Sequence, residues 1–257
     1  MPEGDTVWQT AHRLHAALAG KVLTRFELRV PRQATADLTG RTVREVVPRG
    51  KHILLRAGAY TLHSHLRMEG IWDVHPPGAR WPRPAHTARA VLAATGVEAV
   101  GFDIAEVRVV PTTAEHELVG HLGPDPLQPD WDAAEAARRV AADRRPVHVA
   151  LLDQRNLAGL GNEYANEVLF VRGILPTTPA TAVDVVGLVD TAARMLRANR
   201  DRVLRTFTGD GRRGRTRWVY SREHQPCLRC GTPIRAGRLG ADPTRERSVF
   251  WCPTCQR

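Results

Sequence analysis

The stretches Cys227-Leu228-Arg229-Cys230 and Cys252-Pro253-Thr254-Cys255 decide how the end of this chain folds. They contain all four cysteines of the 257-residue sequence, in the pattern C-x2-C-x21-C-x2-C. Two such pairs supply four thiolates, the tetrahedral set that a structural zinc ion prefers. Two disulfides are the alternative, which the lack of a secretory signal and of further cysteines disfavours. The sequence therefore predicts a zinc hairpin whose ligands are Cys227, Cys230, Cys252 and Cys255.

The segment between the cysteine pairs reads as a β-hairpin that is rich in arginine. A turn at Gly231-Thr232-Pro233 and the run Ser248-Val249-Phe250-Trp251 indicate its two arms. Residues 201–257 hold 13 arginines against five acidic residues, a local balance of +8 within a net charge of +10. Codon bias could explain part of the arginine content, but not its clustering. An anionic partner is expected, and nucleic acid is favoured over a membrane because no long apolar run exists.

A glycine-bearing turn, Gln154-Arg155-Asn156-Leu157-Ala158-Gly159-Leu160-Gly161-Asn162, joins two predicted helices over 146–153 and 162–171. We expect Asn162 to cap the second helix, whose N-terminal amides would suit a phosphate. Simple packing of two helices is the alternative interpretation. The pattern predicts a helix-two-turn-helix arrangement.

The remaining sequence predicts an α+β multidomain protein. An amphipathic helix over 3–20 precedes a sheet-rich region, and a proline-rich connector over 123–129 separates it from the helical part. The predicted strands cover 22–29, 43–47, 52–56, 60–65, 90–94 and 107–110, and further helices cover 132–142 and 181–205. The expected domains are a catalytic domain over 1–120, a hinge over 121–131, a helix-two-turn-helix domain over 132–220 and a zinc-finger hairpin over 221–257.

The chain begins Met1-Pro2-Glu3-Gly4, and a small second residue allows Met1 to be removed. Pro2 would then carry a secondary α-amine, and α-amines titrate about two units below lysine. Such an amine can attack a sugar aldehyde carbon to form a Schiff base, with Glu3 beside it to move protons. A frayed terminus without chemistry is the alternative interpretation.

Lysine is rare in this chain, because only Lys21 and Lys51 occur among 37 basic residues. Lys51 lies in a predicted turn, Pro48-Arg49-Gly50-Lys51-His52, that opens an apolar strand. An ammonium is a compact proton donor that a guanidinium cannot imitate. Lys51 is therefore a candidate catalytic residue, with an ordinary edge charge as the alternative.

Four motifs occur in a fixed order along the chain. They are the Pro2-Glu3 terminus, the strand entry at Lys51, the Leu-Ala-Gly-Leu-Gly-Asn162 turn and the paired CxxC hairpin. Together they resemble the formamidopyrimidine-DNA glycosylase/endonuclease VIII family across essentially the full chain. The resemblance implies an N-terminal β-sandwich with a leading helix, a helix-two-turn-helix domain and a C-terminal zinc-ribbon hairpin. It also implies that DNA is bound in the cleft between the two halves.

The resemblance also implies a role for each matched residue. Pro2 corresponds to the nucleophile that attacks the sugar C1′, and Glu3 to the proton donor. Lys51 corresponds to the lysine that assists base loss and contacts a phosphate. Asn162 and Arg247 correspond to the phosphate clamp, and Arg247 also to the second elimination. The implied activity is excision of an oxidised base from damaged duplex DNA, followed by β- and δ-elimination, after the nucleotide is flipped out of the stack.

Two departures bear on the substrate. Asp5 and Thr6 stand where the family usually has a glutamate, which puts its base-pocket proton network in doubt. Met68, with Arg67 beside it, matches the loop residue that wedges into the emptied stack. The Arg-Arg-Phe wedge of the formamidopyrimidine branch has no counterpart over 101–107. This absence, together with the Met-Pro-Glu-Gly-Asp-Thr start, favours the endonuclease VIII branch and oxidised pyrimidines.

Three alternatives remain: a family member that prefers 8-oxoguanine or formamidopyrimidine, a zinc DNA-binding protein without catalysis, and a zinc hydrolase. The second would need neither Pro2 nor Lys51, and the third is disfavoured because four cysteines leave zinc no site for water. We expect a monomer in a bacterial-type cytoplasm, associated with the nucleoid and not with a membrane. Single-stranded and bubble DNA are further expected substrates.

Overall fold

The computed structural model describes residues 2–257, which form two compact units. The first unit ends at His121, and the second runs from Leu122 to Arg257. No helix in the described chain is long and apolar enough to cross a membrane. The finer division, with a hinge over 121–131 and a separate hairpin domain from 221, stays a prediction.

The first unit is a β-sandwich with a leading helix, as the sequence predicts. Helix α1, Gly4–Leu18, packs on the sandwich through its buried residues, which include Val7, Ala11, Leu14 and Leu18. One antiparallel sheet has the order β1-β6-β7-β5, and the other has the order β2-β3-β4-β8. The strands are β1 Leu23–Leu28, β2 Val43–Arg49, β3 His52–Ala57, β4 Tyr60–His65, β5 Ile71–His75, β6 Ala88–Ala94, β7 Val97–Phe102 and β8 Glu106–Pro111, and a short helix, α2 Glu115–Val119, follows them.

Strands β5 and β7 and helix α2 were not predicted from the sequence. All six residues of β7 are buried. Val97 and Ala99 pack in the sandwich core, and Val100 and Phe102 pack in a second apolar cluster that Trp81 covers. A strand that is covered on both faces loses the alternation of polar and apolar residues that marks a half-exposed strand. The position of β7 in the sheet therefore explains why the sequence pattern missed it.

The second unit contains four helices and a two-stranded hairpin. The helices are α3 Ala133–Ala142, α4 Val147–Leu152, α5 Asn162–Arg172 and α6 Val185–Arg200, and the hairpin strands are β9 Arg235–Leu239 and β10 Arg247–Trp251. The helix predicted over 181–205 is too long at both ends. Asp184 caps α6 by accepting a hydrogen bond from the N–H of Gly187 at 3.1 Å. After the end of α6, the N–H of Thr206 donates to Oδ1 of Asn199 in the last turn of the helix at 2.9 Å, so the chain forms a turn instead of a further helical turn.

Helix α5 supports the base of the hairpin. Its buried Phe170 packs in one apolar cluster with Val219, Ile234 and the cysteines Cys227 and Cys252. Gly173 ends α5 with a left-handed φ of 71°, the conformation that favours glycine at this position. The helical part and the cysteine-bearing hairpin therefore share one small core.

Candidate functional site

The N-terminal candidate residues lie at the start of α1. Glu3 is fully buried and its backbone carbonyl accepts a hydrogen bond from the N–H of Val7 at 2.9 Å, which fixes the first turn. Pro2 precedes it and is half-buried. Asp5 is also buried, and its carboxylate accepts from the N–H of Thr6 at 2.7 Å. The predicted removal of Met1 lies outside the described residues.

Lys51 lies in a tight turn of the sandwich. Arg49 pairs with His52 across β2 and β3, so Gly50 and Lys51 are the two residues of the hairpin loop. Gly50 has φ of 57°, which a residue with a side chain rarely adopts. The buried strand residues that follow anchor this turn, so Lys51 is placed by a rigid element.

Three histidines beside this turn were not singled out by the sequence analysis. His52 Nδ1 lies 2.8 Å from His63 Nε2, and the His52 and His65 rings meet edge to face at 4.9 Å. Burial lowers the pKa of His52 to about 2 and the pKa values of His63 and His65 to about 4. The cluster is therefore neutral at pH 7. The i, i+2 spacing of His63 and His65 was the one signal that could have placed them on a common strand face.

The wedge candidates lie in the turn after β4. Met68 is 62% exposed, as a residue that enters a base stack needs to be. Arg67 has φ of 55°, and its guanidinium is paired with Glu106 at the start of β8. A Cβ on Gly70 would lie 2.5 Å from the carbonyl oxygen of Leu66, so the turn requires glycine there. Arg67 is thus held by the sandwich, while Met68 projects from it.

The connection between β7 and β8 has only three residues, Asp103, Ile104 and Ala105. Asp103 has φ of 52° and its carboxylate forms an ion pair with Arg83 at 2.5 Å. Ile104 is buried in the sandwich core. This tight connection agrees with the absence of an Arg-Arg-Phe wedge from the sequence.

The glycine-bearing turn of the second unit is closed by one side chain. Gln154 Nε2 donates to the carbonyl of Leu160 at 2.8 Å, and Gln154 Oε1 accepts from the N–H of Gly159 at 3.0 Å. Leu157 and Leu160 are fully buried beneath the turn. The predicted helix-turn-helix arrangement is confirmed, with α4 before the turn and α5 after it.

The prediction that Asn162 caps α5 is wrong. Gly161 is the N-cap residue of α5, and Asn162 is its first helical residue. The Asn162 side chain points into the protein, where Nδ2 donates to the carbonyl of Ser248 at 2.9 Å. The backbone N–H of Asn162 stands at a helix position that has no acceptor within the helix.

Two buried carboxylates that the sequence analysis missed hold the loop over 206–216. Glu163 pairs with Arg205 at 2.7 Å and with Arg217 at 2.6 Å, one residue on each side of this loop. Glu167 is fully buried and accepts backbone N–H groups of Trp218, Val219 and Tyr220 at 2.7–2.9 Å. Burial raises the pKa of Glu167 to about 7, against the lowering effect of these three donors. Both glutamates follow Asn162 on α5.

The four cysteines converge as predicted. Their Sγ atoms all lie within 4.8 Å of one another, and those of Cys230 and Cys252 are 3.5 Å apart. A tetrahedral zinc site with Zn–S bonds of about 2.3 Å has thiolates separated by about 3.8 Å. The thiol cluster could therefore hold a metal ion of this kind.

Arg247 is the first residue of β10, where it pairs with Leu239 of β9. Its side chain is exposed. Two side chains of α5 form hydrogen bonds with the β10 backbone next to Arg247. Asn162 donates to the carbonyl of Ser248, and Asn166 Oδ1 accepts from the N–H of Phe250 at 2.6 Å. The structure thus links both predicted clamp residues, Asn162 and Arg247, within the second unit.

Comparison with known proteins agrees with this arrangement. Residues 1–121 match the formamidopyrimidine-DNA glycosylase N-terminal domain, and residues 122–199 match the formamidopyrimidine-DNA glycosylase H2TH domain. The chain is 52% identical over its full length to a protein named probable endonuclease 8 2 of Streptomyces coelicolor, covering 94% of that protein. The chain belongs to the formamidopyrimidine-DNA glycosylase/endonuclease VIII family.

Two further comparisons extend this result. The chain is 50% identical over its full length to the DNA-(apurinic or apyrimidinic site) lyase Nei2 of Mycolicibacterium smegmatis, covering 99% of that protein. The structure of MutM in complex with DNA containing carbocyclic 8-oxo-G superimposes with a TM-score of 0.83 at 24% identity, with full coverage of both chains. The family's fold is therefore confirmed, and the names of both sequence relatives agree with the predicted endonuclease VIII branch.

Proposed function

We propose that this protein is a bifunctional DNA glycosylase and apurinic/apyrimidinic-site lyase of base-excision repair. The observation that carries the proposal is the placement of Pro2 directly before the fully buried Glu3 at the start of α1. The names of the relatives, endonuclease 8 and DNA-(apurinic or apyrimidinic site) lyase, support the same chemistry.

The reaction begins at the α-amine of Pro2 once Met1 has been removed. Its lone pair forms a bond to the sugar C1′, and the glycosidic bond breaks so that its electron pair leaves with the base, which takes up a proton. The adduct nitrogen then passes its proton to Glu3, which delivers it to O4′ as the C1′–O4′ bond breaks, and the ring-opened product is a Schiff base. It makes the C2′ hydrogen acidic, so loss of a C2′ proton to water expels the 3′ phosphate in β-elimination. Loss of a C4′ proton to water then expels the 5′ phosphate in δ-elimination. Glu3 would therefore be the group that moves protons at the sugar.

Lys51 supplies a second proton donor. The Gly50-Lys51 turn puts Lys51 at the end of the sheet. Its ammonium would protonate the departing base or contact a backbone phosphate. Lys51→Ala should therefore slow base excision more than cleavage of a preformed abasic site. That substrate has already lost its base, so it no longer needs the donor.

The phosphate clamp combines Asn162 and Arg247. Because the Asn162 amide is bonded inside the protein, its backbone N–H at the start of α5 is the group that would meet a phosphate. Arg247 adds a guanidinium from β10 and would also support the second elimination. Arg247 and the other arginines of the hairpin neutralise phosphate charge, whereas the Asn162 N–H adds a neutral hydrogen bond, so binding should weaken steeply with salt.

The thiols of Cys227, Cys230, Cys252 and Cys255 would hold one Zn²⁺ ion. Zinc supplies a structural cross-link and no reaction step, since four thiolates fill its coordination sphere. The cross-link joins the two cysteine pairs that flank β9 and β10, which fixes the strand that carries Arg247.

Oxidised pyrimidines in duplex, bubble or single-stranded DNA are the proposed substrates. Met68 and Arg67 would occupy the gap left by the flipped nucleotide, because the three-residue β7–β8 connection carries no additional wedge. The protein would act as a monomer in the bacterial cytoplasm, at the nucleoid.

Borohydride trapping on a thymine-glycol duplex tests the proposal. Reduction should convert the Pro2 imine into a stable protein–DNA adduct, and peptide mapping should place that adduct at Pro2. A zinc DNA-binding protein without catalysis would bind the duplex and give no adduct. An adduct on Lys21 or Lys51 instead would remove Pro2 from its assigned role.

A further inference from the structure

A buried polar network joins helices α4 and α5 to strand β10. It consists of His148 on α4 with Asn162 and Asn166 on α5. His148 and Asn166 are fully buried and Asn162 is 8% exposed. Buried amides and imidazoles are costly unless hydrogen-bonded, so a network of this kind constrains the orientation of each of its members.

Backbone groups fix the orientation of both amides. Asn166 Oδ1 accepts from the N–H of Phe250 at 2.6 Å, and Asn166 Nδ2 donates to the carbonyl of Asn162 at 2.7 Å. Asn162 Nδ2 donates to the carbonyl of Ser248 at 2.9 Å. Because a backbone N–H only donates and a carbonyl only accepts, neither amide can be reversed without loss of these bonds.

The amide orientations determine the tautomer of His148. Asn162 Oδ1 faces His148 Nε2 at 2.9 Å and can only accept, so Nε2 carries the proton. His148 Nδ1 is buried and has no hydrogen-bond partner within residues 2–257. Burial lowers the pKa of His148 to about 4, in agreement with a neutral ring.

We propose that His148 is a positioning residue for the phosphate clamp. Its Nε2–H holds the Asn162 amide, which holds the carbonyl of Ser248 and thereby sets the place of the adjacent Arg247. The proposal rests on the clamp role given to Arg247 in the proposed function. An aliphatic side chain at position 148 would leave Asn162 Oδ1 without this donor and free the amide to turn away from β10.

The first test compares three zinc-loaded full-length variants by binding to a duplex with a tetrahydrofuran abasic analogue. His148→Leu removes the donor, and His148→Gln keeps an N–H donor. Leu151→Ala is the control, because it empties a buried site on the same helix without removing any hydrogen-bonding group of the network. Metal analysis must show full zinc in each variant. We expect His148→Leu to lose about tenfold in affinity and about one unit of the log–log salt slope.

His148→Gln should recover most of that loss, and Leu151→Ala should leave the salt slope unchanged even where it lowers the melting temperature. A wild-type salt slope in His148→Leu would overturn the proposal. An equal fall of the slope in Leu151→Ala would show general destabilisation and would overturn it as well.

A double-mutant cycle separates this inference from the proposed function. We expect Arg247→Ala to weaken binding about tenfold in the wild-type background and less than about threefold in the His148→Leu background. Equal losses in both backgrounds would overturn the positioning role and leave the clamp intact. No loss in the wild-type background would overturn the clamp and this inference with it.

The tautomer gives a test that needs no DNA. In ¹⁵N-labelled, zinc-loaded protein, the His148 ring should show a protonated Nε2 and an unprotonated Nδ1. A proton on Nδ1 would overturn the proposal, because Nε2 could then no longer donate to Asn162.

Discussion

The two units hold their candidate functional groups in different ways. In the first unit, Pro2, Lys51 and Met68 lie at a helix start or in tight turns, so they are carried by regular elements of the fold. In the second unit, buried amides and carboxylates on α5 form hydrogen bonds with backbone groups of the hairpin and of the segment after the 206–216 loop. The first unit therefore presents its chemical groups on regular elements, whereas the second positions its groups through a polar interior.

The largest expected effect follows from blocking the Pro2 amine. Retention of Met1 or an N-terminal tag should abolish imine trapping and lower strand cleavage on the order of 10³-fold or more, as expected for loss of a nucleophile. Pro2→Gly should bind lesion DNA while losing most glycosylase activity. A C-terminal tag is the control. Full cleavage by a tagged, unprocessed protein would show that the Pro2 amine is not the nucleophile.

The second expected effect concerns the hairpin. Cys252→Ser removes a buried thiol from the metal site, so zinc should be released and Arg247 displaced. Metal analysis and binding to an abasic-analogue duplex would measure both losses. Arg247→Ala should keep zinc but weaken binding. If Cys252→Ser binds DNA normally without zinc, the second unit does not depend on the metal for positioning.

The third effect is on stability and concerns the three buried histidines of the first unit. The pKa values of His52, His63 and His65 lie below the unfolded value of about 6.5 because burial disfavours the charged ring. The unfolded chain then binds more protons between pH 6.5 and 4, so this stability is complete above pH 6.5 and is lost as pH falls. One histidine with a pKa of about 4 accounts for about 2 kcal/mol between pH 7 and 5.

Urea unfolding of the wild type and His63→Gln at pH 7 and pH 5 would measure this loss. The variant should lose less stability on acidification than the wild type, and replacement of the exposed His86 should change nothing. The contribution of Glu167 in the second unit to the pH dependence of stability has the opposite sign. Its carboxyl pKa is raised, so it favours the folded state as pH falls from about 7. An unchanged pH dependence in His63→Gln would show that the cluster does not govern acid stability.

Some functional residues of the two units could be predicted from the sequence and others could not. The Pro2 terminus, the Lys51 turn and the cysteine pairs were visible because their residue types are rare or spaced for one purpose. His148, Asn166, Glu163 and Glu167 were not, because a polar residue inside a helix shows its role only through the partner that folding brings to it. Asn162 was visible as a motif residue but was assigned the wrong local role, since its partner, Ser248, lies 86 residues away.

The smallest expected effect concerns the base opposite the lesion. Met68 is an apolar thioether that can stack but carries no hydrogen-bond code, and Arg67 is already paired with Glu106. We therefore expect excision of thymine glycol to vary by no more than about threefold among the four opposite bases, since stacking is largely insensitive to base identity. Dihydrouracil should behave similarly, and 8-oxoguanine opposite cytosine should be a poor substrate. Single-turnover excision from each duplex would measure these ratios, with Met68→Ala as the variant that should slow all of them alike. Faster cutting of 8-oxoguanine opposite cytosine would show that the first unit recognises the base opposite the lesion without an Arg-Arg-Phe wedge. The substrate preference would then be that of the formamidopyrimidine branch.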